Sequence, residues 1–296
     1  MKSHLTNLLP EQRRPLIQRL LSHLAGKKVI KAIEAHHGLS ARIAEDAGYD
    51  AIWVSSLTET ASRGLPDIEL EGYWPRLELV HEILNVCSLP VIVDGDTGGT
   101  IDQFCHLVQE LERMGVSAVV VEDKVFPKAN SFDESRTQVL EDPDRFALKI
   151  RRGRQALRTQ DFLLIARIET FIVGANLEDA IFRAKSYIEA GADGIVIHSK
   201  SVSPEEVFEF AQQYQRLDRK VPLFAIPTTY HEVKTSELQK VGFHGVIYAN
   251  HLLRSSVFAM RQVAASILEE DRSSEVEDFC VPVKSLLNEL VNDYRH

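Results

Sequence analysis

Cysteine is scarce in this chain, with Cys87, Cys105 and Cys280 the only three among 296 residues. An odd number without C-x-x-C spacing excludes a disulfide framework and a structural zinc site, and it suits a reducing compartment. Basic charge is also in deficit: 34 Lys and Arg stand against 43 Asp and Glu, a formal charge of -9. Such a surface repels nucleic acid and anionic membranes, so neither is expected as a partner. The densest basic run, Arg151, Arg152 and Arg154 with Arg158 beyond it, reads as a solvated helix face. No apolar run reaches the roughly 18 residues that a membrane span needs. The opening Met-Lys-Ser-His-Leu-Thr-Asn has no apolar signal core, so a cytoplasmic protein is expected. No G-x-G-x-x-G follows any apolar run, which argues against a dinucleotide fold.

What is present is an ordinary globular balance of 44% hydrophobic and 26% charged residues, enough for a large core. Eight short apolar or β-branched runs read as strands: 29–33, 51–54, 91–93, 118–121, 163–168, 194–197, 223–226 and 246–249. Amphipathic helices ending in glycine precede several of them, over 41–47 before Gly48, 104–114 before Gly115 and 177–190 before Gly191. Eight such units in one chain predict an α/β fold of the closed (β/α)8 TIM type, a single domain over 1–296 with its barrel in 28–252. An extra N-terminal helix is expected over 11–24, at or beside the barrel floor. Beyond the barrel, residues 253–296 read as a helix near 255–268, a charged break at 269–278 and an apolar-periodic segment at 281–291. That last helix could pack on its own barrel or on a neighbouring subunit.

In a barrel the active site lies at the C-terminal ends of the strands, and there this chain is rich in polar residues. The strands end in Glu34-Ala-His36-His37, Ser55-Ser56, Asp94-Gly95-Asp96, Glu122-Asp123-Lys124, Arg167 with Glu169, His198-Ser199-Lys200, Pro227-Thr228-Thr229 and Asn250-His251. If the third strand persists, Asp94 and Asp96 point to one side, toward the mouth. Two carboxylates so placed need a cation. Glu122 adds a third oxygen donor, and an all-oxygen set suits Mg²⁺, with Mn²⁺ as a substitute, better than zinc. Mg²⁺ keeps several waters, so one carboxylate is expected to bind it directly and the others through water. Arg167, Lys128 and the backbone amides of Gly98 and Gly99 complete a pocket for a small polyanion. Adjacent His36 and His37 face opposite ways on a strand and are not read as a metal pair.

The segments Asp94-Gly-Asp-Thr-Gly98, Glu122-Asp-Lys-Val-Phe-Pro-Lys-Ala-Asn-Ser131, Ala166-Arg-Ile-Glu169 and Ile197-His-Ser-Lys200 resemble, in order, the motifs of phosphoenolpyruvate mutases of the isocitrate lyase superfamily. Ile52-Trp-Val-Ser-Ser-Leu57 and Tyr248-Ala-Asn-His251 match as well, and the likeness runs from about Val29 to Leu268. It implies reversible conversion of phosphoenolpyruvate to 3-phosphonopyruvate for phosphonate biosynthesis, Mg²⁺ dependence, and a homotetramer whose barrels exchange C-terminal helices. Carried over motif by motif, Asp94 would bind the metal directly, and Asp67, Asp96 and Glu122 through water. Trp53 would flank the substrate, while Ser55 and the backbone amides of Ser56 and Leu57 would hold its acidic oxygens. Arg167 and His198 would contact it, and Lys128 and Asn130 would belong to a mobile gate.

The chain departs from the family at Gly99-Thr100-Ile101, where Tyr-Gly-Asn or Phe-Gly-Asn is common, and at Ser56, where animal mutases carry glycine. A related phosphonopyruvate hydrolase would share nearly all the ligands, but such enzymes tend to carry threonine where Asn130 stands. Carbon–carbon lyases of the superfamily carry Lys-Arg-Cys-Gly-His in the gate, and the catalytic cysteine is absent from Lys128-Ala-Asn-Ser-Phe132. A metabolite-binding barrel without catalysis would be expected to have lost a metal carboxylate, and all four are present.

Overall fold

The computed structural model describes residues 28–291 together with Gln18, Leu21, Ser22, Leu24 and Ala25. Eight parallel strands close into a barrel in sequential order: β1 (Ile30–Glu34), β2 (Ala51–Val54), β3 (Val91–Asp94), β4 (Ala118–Glu122), β5 (Leu163–Ile168), β6 (Gly194–Ile197), β7 (Leu223–Ala225) and β8 (Gly245–Tyr248). Between and after them run α1 (Gly38–Asp46), α2 (Ser56–Ser62), α3 (Trp74–Val86), α4 (Ile101–Met114), α5 (Pro143–Ala156), α6 (Leu177–Ala190), α7 (Glu205–Tyr214), α8 (Thr235–Lys240), α9 (His251–Glu270) and α10 (Val283–Val291). The expected strands and the three glycine-capped helices fall within a few residues of these bounds. Among the described residues, no helix is long and apolar enough to cross a membrane.

Side chains alternate across each strand, so each strand feeds two cores. One row of each strand meets the helices in an outer shell; the other fills the barrel, with Ile30, Ala32, Ala51, Trp53, Ile92, Val120, Ile165, Val196 and Phe224 among its members. Phe224 fits because its neighbour Gly245 has no side chain; a Cβ there would lie 2.3 Å from its ring. Helix ends follow local chemistry. Thr100 and Gln103 form a reciprocal capping box at the start of α4, and Gly115 ends that helix at φ +83, a left-handed turn that glycine adopts without a Cβ clash.

Much of the N-terminal helix expected over 11–24 lies outside the described residues. Those described there are helical, and Leu21 and Leu24 pack against the inner core. At the other end, α9 runs twenty residues from the mouth, yet only Leu253 in it is buried. Phe258, Met260, Ile267 and Leu268 on α9, and Val283, Leu287 and Leu290 on α10, remain exposed. The basic run divides: Arg151, Arg152 and Arg158 are exposed, but Arg154 is partly buried and pairs with Asp193.

Candidate active site

The inward rows of the barrel continue past the apolar layers into charge. Two residues beyond Ile92 stands Asp94; beyond Val120, Glu122; beyond Ile165, Arg167; beyond Val196, His198; beyond Trp53, Ser55. Period-two alternation therefore places these side chains at the mouth as a continuation of the core pattern. Glu122 and Arg167 are direct register partners on β4 and β5. A cavity opens there, and Trp53, Ser55, Ser56, Leu57, Asp67, Asp94, Glu122, Lys128, Asn130, Arg167 and His198 all line it. Of the residues expected in the site, Asp96 does not, and neither do Gly98 and Gly99.

The reason lies in the backbone. β3 stops at Asp94, and Asp96 takes a left-handed φ of +51, so the two carboxylates are not equivalent strand positions. Gly95 between them is pressed against β4: a Cβ there would lie 2.9 Å from Val119 Cγ2 and 3.0 Å from the Val120 carbonyl oxygen. Asp94 accepts from Ser56 Oγ at 3.1 Å, and weakly from the Ser56 amide at 3.4 Å. Its other oxygen accepts from the Asp96 amide at 3.2 Å. Asp96 turns to Arg76, whose Nη2 lies 2.7 Å away, while Arg76 Nη1 donates to the Asp94 carbonyl at 2.8 Å. Burial opposes ionisation of Asp96, but Arg76 and Lys128 overcome it and hold the carboxyl well below the usual range.

The segment expected to form the gate is the excursion between β4 and α5, closed at its base by the Lys124–Leu140 bridge. It brings the Lys128 ammonium into the carboxylates, 2.5 Å from Asp96, 3.2 Å from Asp67 and 2.9 Å from Ser56 Oγ. Burial disfavours that charge, yet Asp67, Asp96, Glu122 and Asp94 together raise its pKa well above the ordinary lysine value. Asn130 Nδ2 donates to Asp67 at 2.6 Å. Phe132 sets its ring edge-on to His198, 6.2 Å between centroids.

On the opposite wall, Arg167 Nε donates to Glu169, and Ser131 Oγ donates to Glu169 at 2.9 Å while accepting from Lys124 at 2.7 Å. His198 Nδ1 lies 2.8 Å from Arg167 Nη2 and 2.9 Å from Glu169. A protonated Nδ1 donates to Glu169 and a bare one accepts from Arg167; the neutral ring satisfies one at a time. Burial, then Arg167, lower the His198 pKa and favour that neutral form. Behind the wall, Asp123 accepts from the Glu169 amide at 2.9 Å, from Tyr187 at 2.8 Å and from Arg183 at 3.1 Å. This network fixes the end of β5.

Three expectations need correction or addition. The amides of Gly98 and Gly99 are not free for an anion: Gly98 donates to the Gly95 carbonyl and Gly99 to Thr97 Oγ1, because both sit in a tight left-handed turn. His37 caps α1 by accepting from the Ser40 amide at 2.9 Å, and His36 turns to Glu34 at 3.2 Å. Arg76, Lys124, Ser131 and Glu169 were given no role from sequence. Arg76 had a signal, since it shares a helical face with Val80 and Ile83 and is a charge inside an apolar stripe.

The donor set can be tested against a hard cation. Both Glu122 oxygens are buried without a hydrogen-bond donor, and its nearest cations are Arg167 at 3.6 Å and Lys124 at 3.9 Å. Burial pushes this carboxyl up to about 7, against the pull of Lys128, Lys124 and Arg167. Among the described residues, no three acidic, His or Cys side chains are arranged to grip an ion directly. Oxygen donors spread around one cavity, with Glu122 unsatisfied, fit a hydrated ion with few direct protein ligands, as Mg²⁺ prefers.

Fold and site thus define a (β/α)8 barrel with a carboxylate-lined pocket at its mouth. Residues 20–268 match the family model described as phosphoenolpyruvate phosphomutase, and the chain belongs to that family. It is 36% identical to the phosphoenolpyruvate phosphomutase of Tetrahymena pyriformis, over 90% of this chain and 89% of that one. It is equally similar, 36% over 94% and 95%, to the phosphonopyruvate hydrolase of Variovorax sp. (strain Pal2). A crystal structure of phosphonopyruvate hydrolase in complex with oxalate and Mg²⁺ superposes with a TM-score of 0.86 at 35% identity, covering 94% of this chain and 95% of the other. These relatives are enzymes.

Proposed function

We propose that this chain is a phosphoenolpyruvate mutase, interconverting phosphoenolpyruvate and 3-phosphonopyruvate in phosphonate biosynthesis. The observation that carries the reading is the gate, with Asn130 bonded to Asp67 and Lys128 set among the carboxylates. Moving a phosphoryl group between oxygen and carbon of one molecule requires that water be kept from it throughout, and a pinned gate serves that need.

In this reading Ser55 and the amides of Ser56 and Leu57 bind acidic oxygens of the substrate, and Trp53 flanks it. The Trp53 indole Nε1 is buried without an acceptor, a donor available to a ligand. Arg167 and His198 hold the phosphoryl group, oriented by Glu169. Asp94 would hold Mg²⁺ directly, with Asp67, Asp96 and Glu122 bound through water; Mn²⁺ could substitute. The ion, when bound, supplies positive charge to the substrate oxygens where negative charge gathers. Lys128 brings a further positive charge that needs no proton transfer, and Asn130 closes the mouth. The reaction class is an intramolecular phosphotransfer, and a cytoplasmic location suits it.

Hydrolysis of phosphonopyruvate is the second reading, favoured by the equal likeness to the Variovorax enzyme. The two separate in a ³¹P NMR experiment with purified protein, phosphonopyruvate and Mg²⁺. Phosphoenolpyruvate is the expected product; inorganic phosphate with pyruvate would replace the mutase by the hydrolase, and an unchanged spectrum would leave a binding barrel.

A further inference from the structure

Glu69 does not line the cavity, yet its carboxylate joins three segments that do. It lies between α2 and α3, two residues after Asp67, in a left-handed conformation with φ +54. That region is disfavoured for a residue with a Cβ. One oxygen, Oε2, accepts from the gate amide of Lys128 at 2.7 Å. The other, Oε1, accepts from Thr97 Oγ1 at 2.7 Å and from the Thr97 amide at 3.1 Å. Thr97 follows Asp96, and its carbonyl is held in turn by the Lys149 ammonium at 2.7 Å.

A half-buried carboxylate that accepts three hydrogen bonds from the buried residues Thr97 and Lys128 holds its donors firmly, because a buried amide or hydroxyl left unpaired is expensive. The gate's bonds to Ser56 and Asp67 end on cavity-lining groups, so an entering substrate or cation competes for them. It does not compete for Glu69. We propose that Glu69 is a positioning residue, the latch that keeps the gate seated on the loops carrying Asp67 and Asp96 while the contents of the cavity change. Resting on the mutase reading, the latch also sets how the phosphoryl group partitions. With the gate loose, a water oxygen bonds to phosphorus as its bond to the substrate breaks, a proton goes to the enolate carbon, and pyruvate and phosphate leave without any redox change.

Three variants isolate the latch. Glu69→Ala removes both acceptors. Glu69→Gln replaces one with an NH₂ that faces a donor, and Glu69→Asp keeps both on a shorter arm. Hydrogen exchange on metal-free, ligand-free protein reads the gate without reference to catalysis. Amides of residues 125–138 should exchange about tenfold faster or more in the Ala and Gln variants, with partial recovery in Asp and unchanged protection in β4 and β5. If Glu69→Ala loosens the barrel as well, Glu69→Gln decides. Gate exchange within about twofold of wild type in a folded Gln variant overturns the latch. With phosphonopyruvate and Mg²⁺, ³¹P NMR should show a larger share of inorganic phosphate from Glu69→Gln than from wild type. A wild type that makes no phosphoenolpyruvate sinks the mutase reading and leaves the exchange result to judge the latch.

Discussion

Glu122 is a carboxylate whose environment works against its charge, and that makes stability a reporter of the site. Its folded pKa of about 7 exceeds the ordinary 4.5, so between those values the folded protein keeps a proton that the unfolded chain releases. Stability from this group therefore falls as pH rises from about 4.5 to 7, and the full cost is felt above about 7. In metal-free protein, Glu122→Gln should be more stable than wild type by about 3 kcal/mol at pH 8 and no different near pH 4. Denaturant titrations across that range measure it, and a difference independent of pH would remove the unpaired charge as its cause. Asp94 differs, being satisfied by Ser56 and the Asp96 amide while facing the cavity. Asp94→Ala should lower turnover by about 10³-fold or more, a loss of about 4 kcal/mol of transition-state stabilisation, with far-UV circular dichroism unchanged. Activity near wild type would withdraw Asp94 from the metal site.

At the scale of elements, α9 and α10 carry an apolar surface that their own barrel does not cover. Phe258 is 68% exposed and Leu268 86%, far from what a helix lying against a barrel shows. Exposed apolar side chains in such number mark an interaction surface, and a second copy of this chain, exchanging C-terminal helices toward a homotetramer, is the occupant we propose. Phe258→Glu combined with Leu268→Glu should shift the protein to smaller assemblies in light scattering while leaving β-strand protection intact. An unchanged assembly would place the interface elsewhere. The elements themselves were legible because strand and helix periodicities differ, and because glycine follows α1, α4 and α6 at each left-handed turn. The gate was legible as a motif but not as a shape, since its ties to Asp67 and Glu169 join residues 63 and 38 apart in sequence.

Across the whole molecule, the barrel and the identity of most of the mouth follow from residue order alone. Alternation with period two sends Asp94, Glu122, Arg167 and His198 inward for the same reason that it sends Ile92, Val120, Ile165 and Val196 inward. No long-range information is needed for that, only strand geometry and the order of the runs. Tertiary structure alone decided how the charges are shared. Asp96 looked equivalent to Asp94 until the chain turned left-handed and gave it to Arg76 and Lys128. Gly98 and Gly99 looked like open amides until the turn used them, and Glu69 and Glu169 gained their partners only when distant segments met. Pairing of buried charges depends on distances of a few ångströms between loops, and a linear pattern carries no such distances.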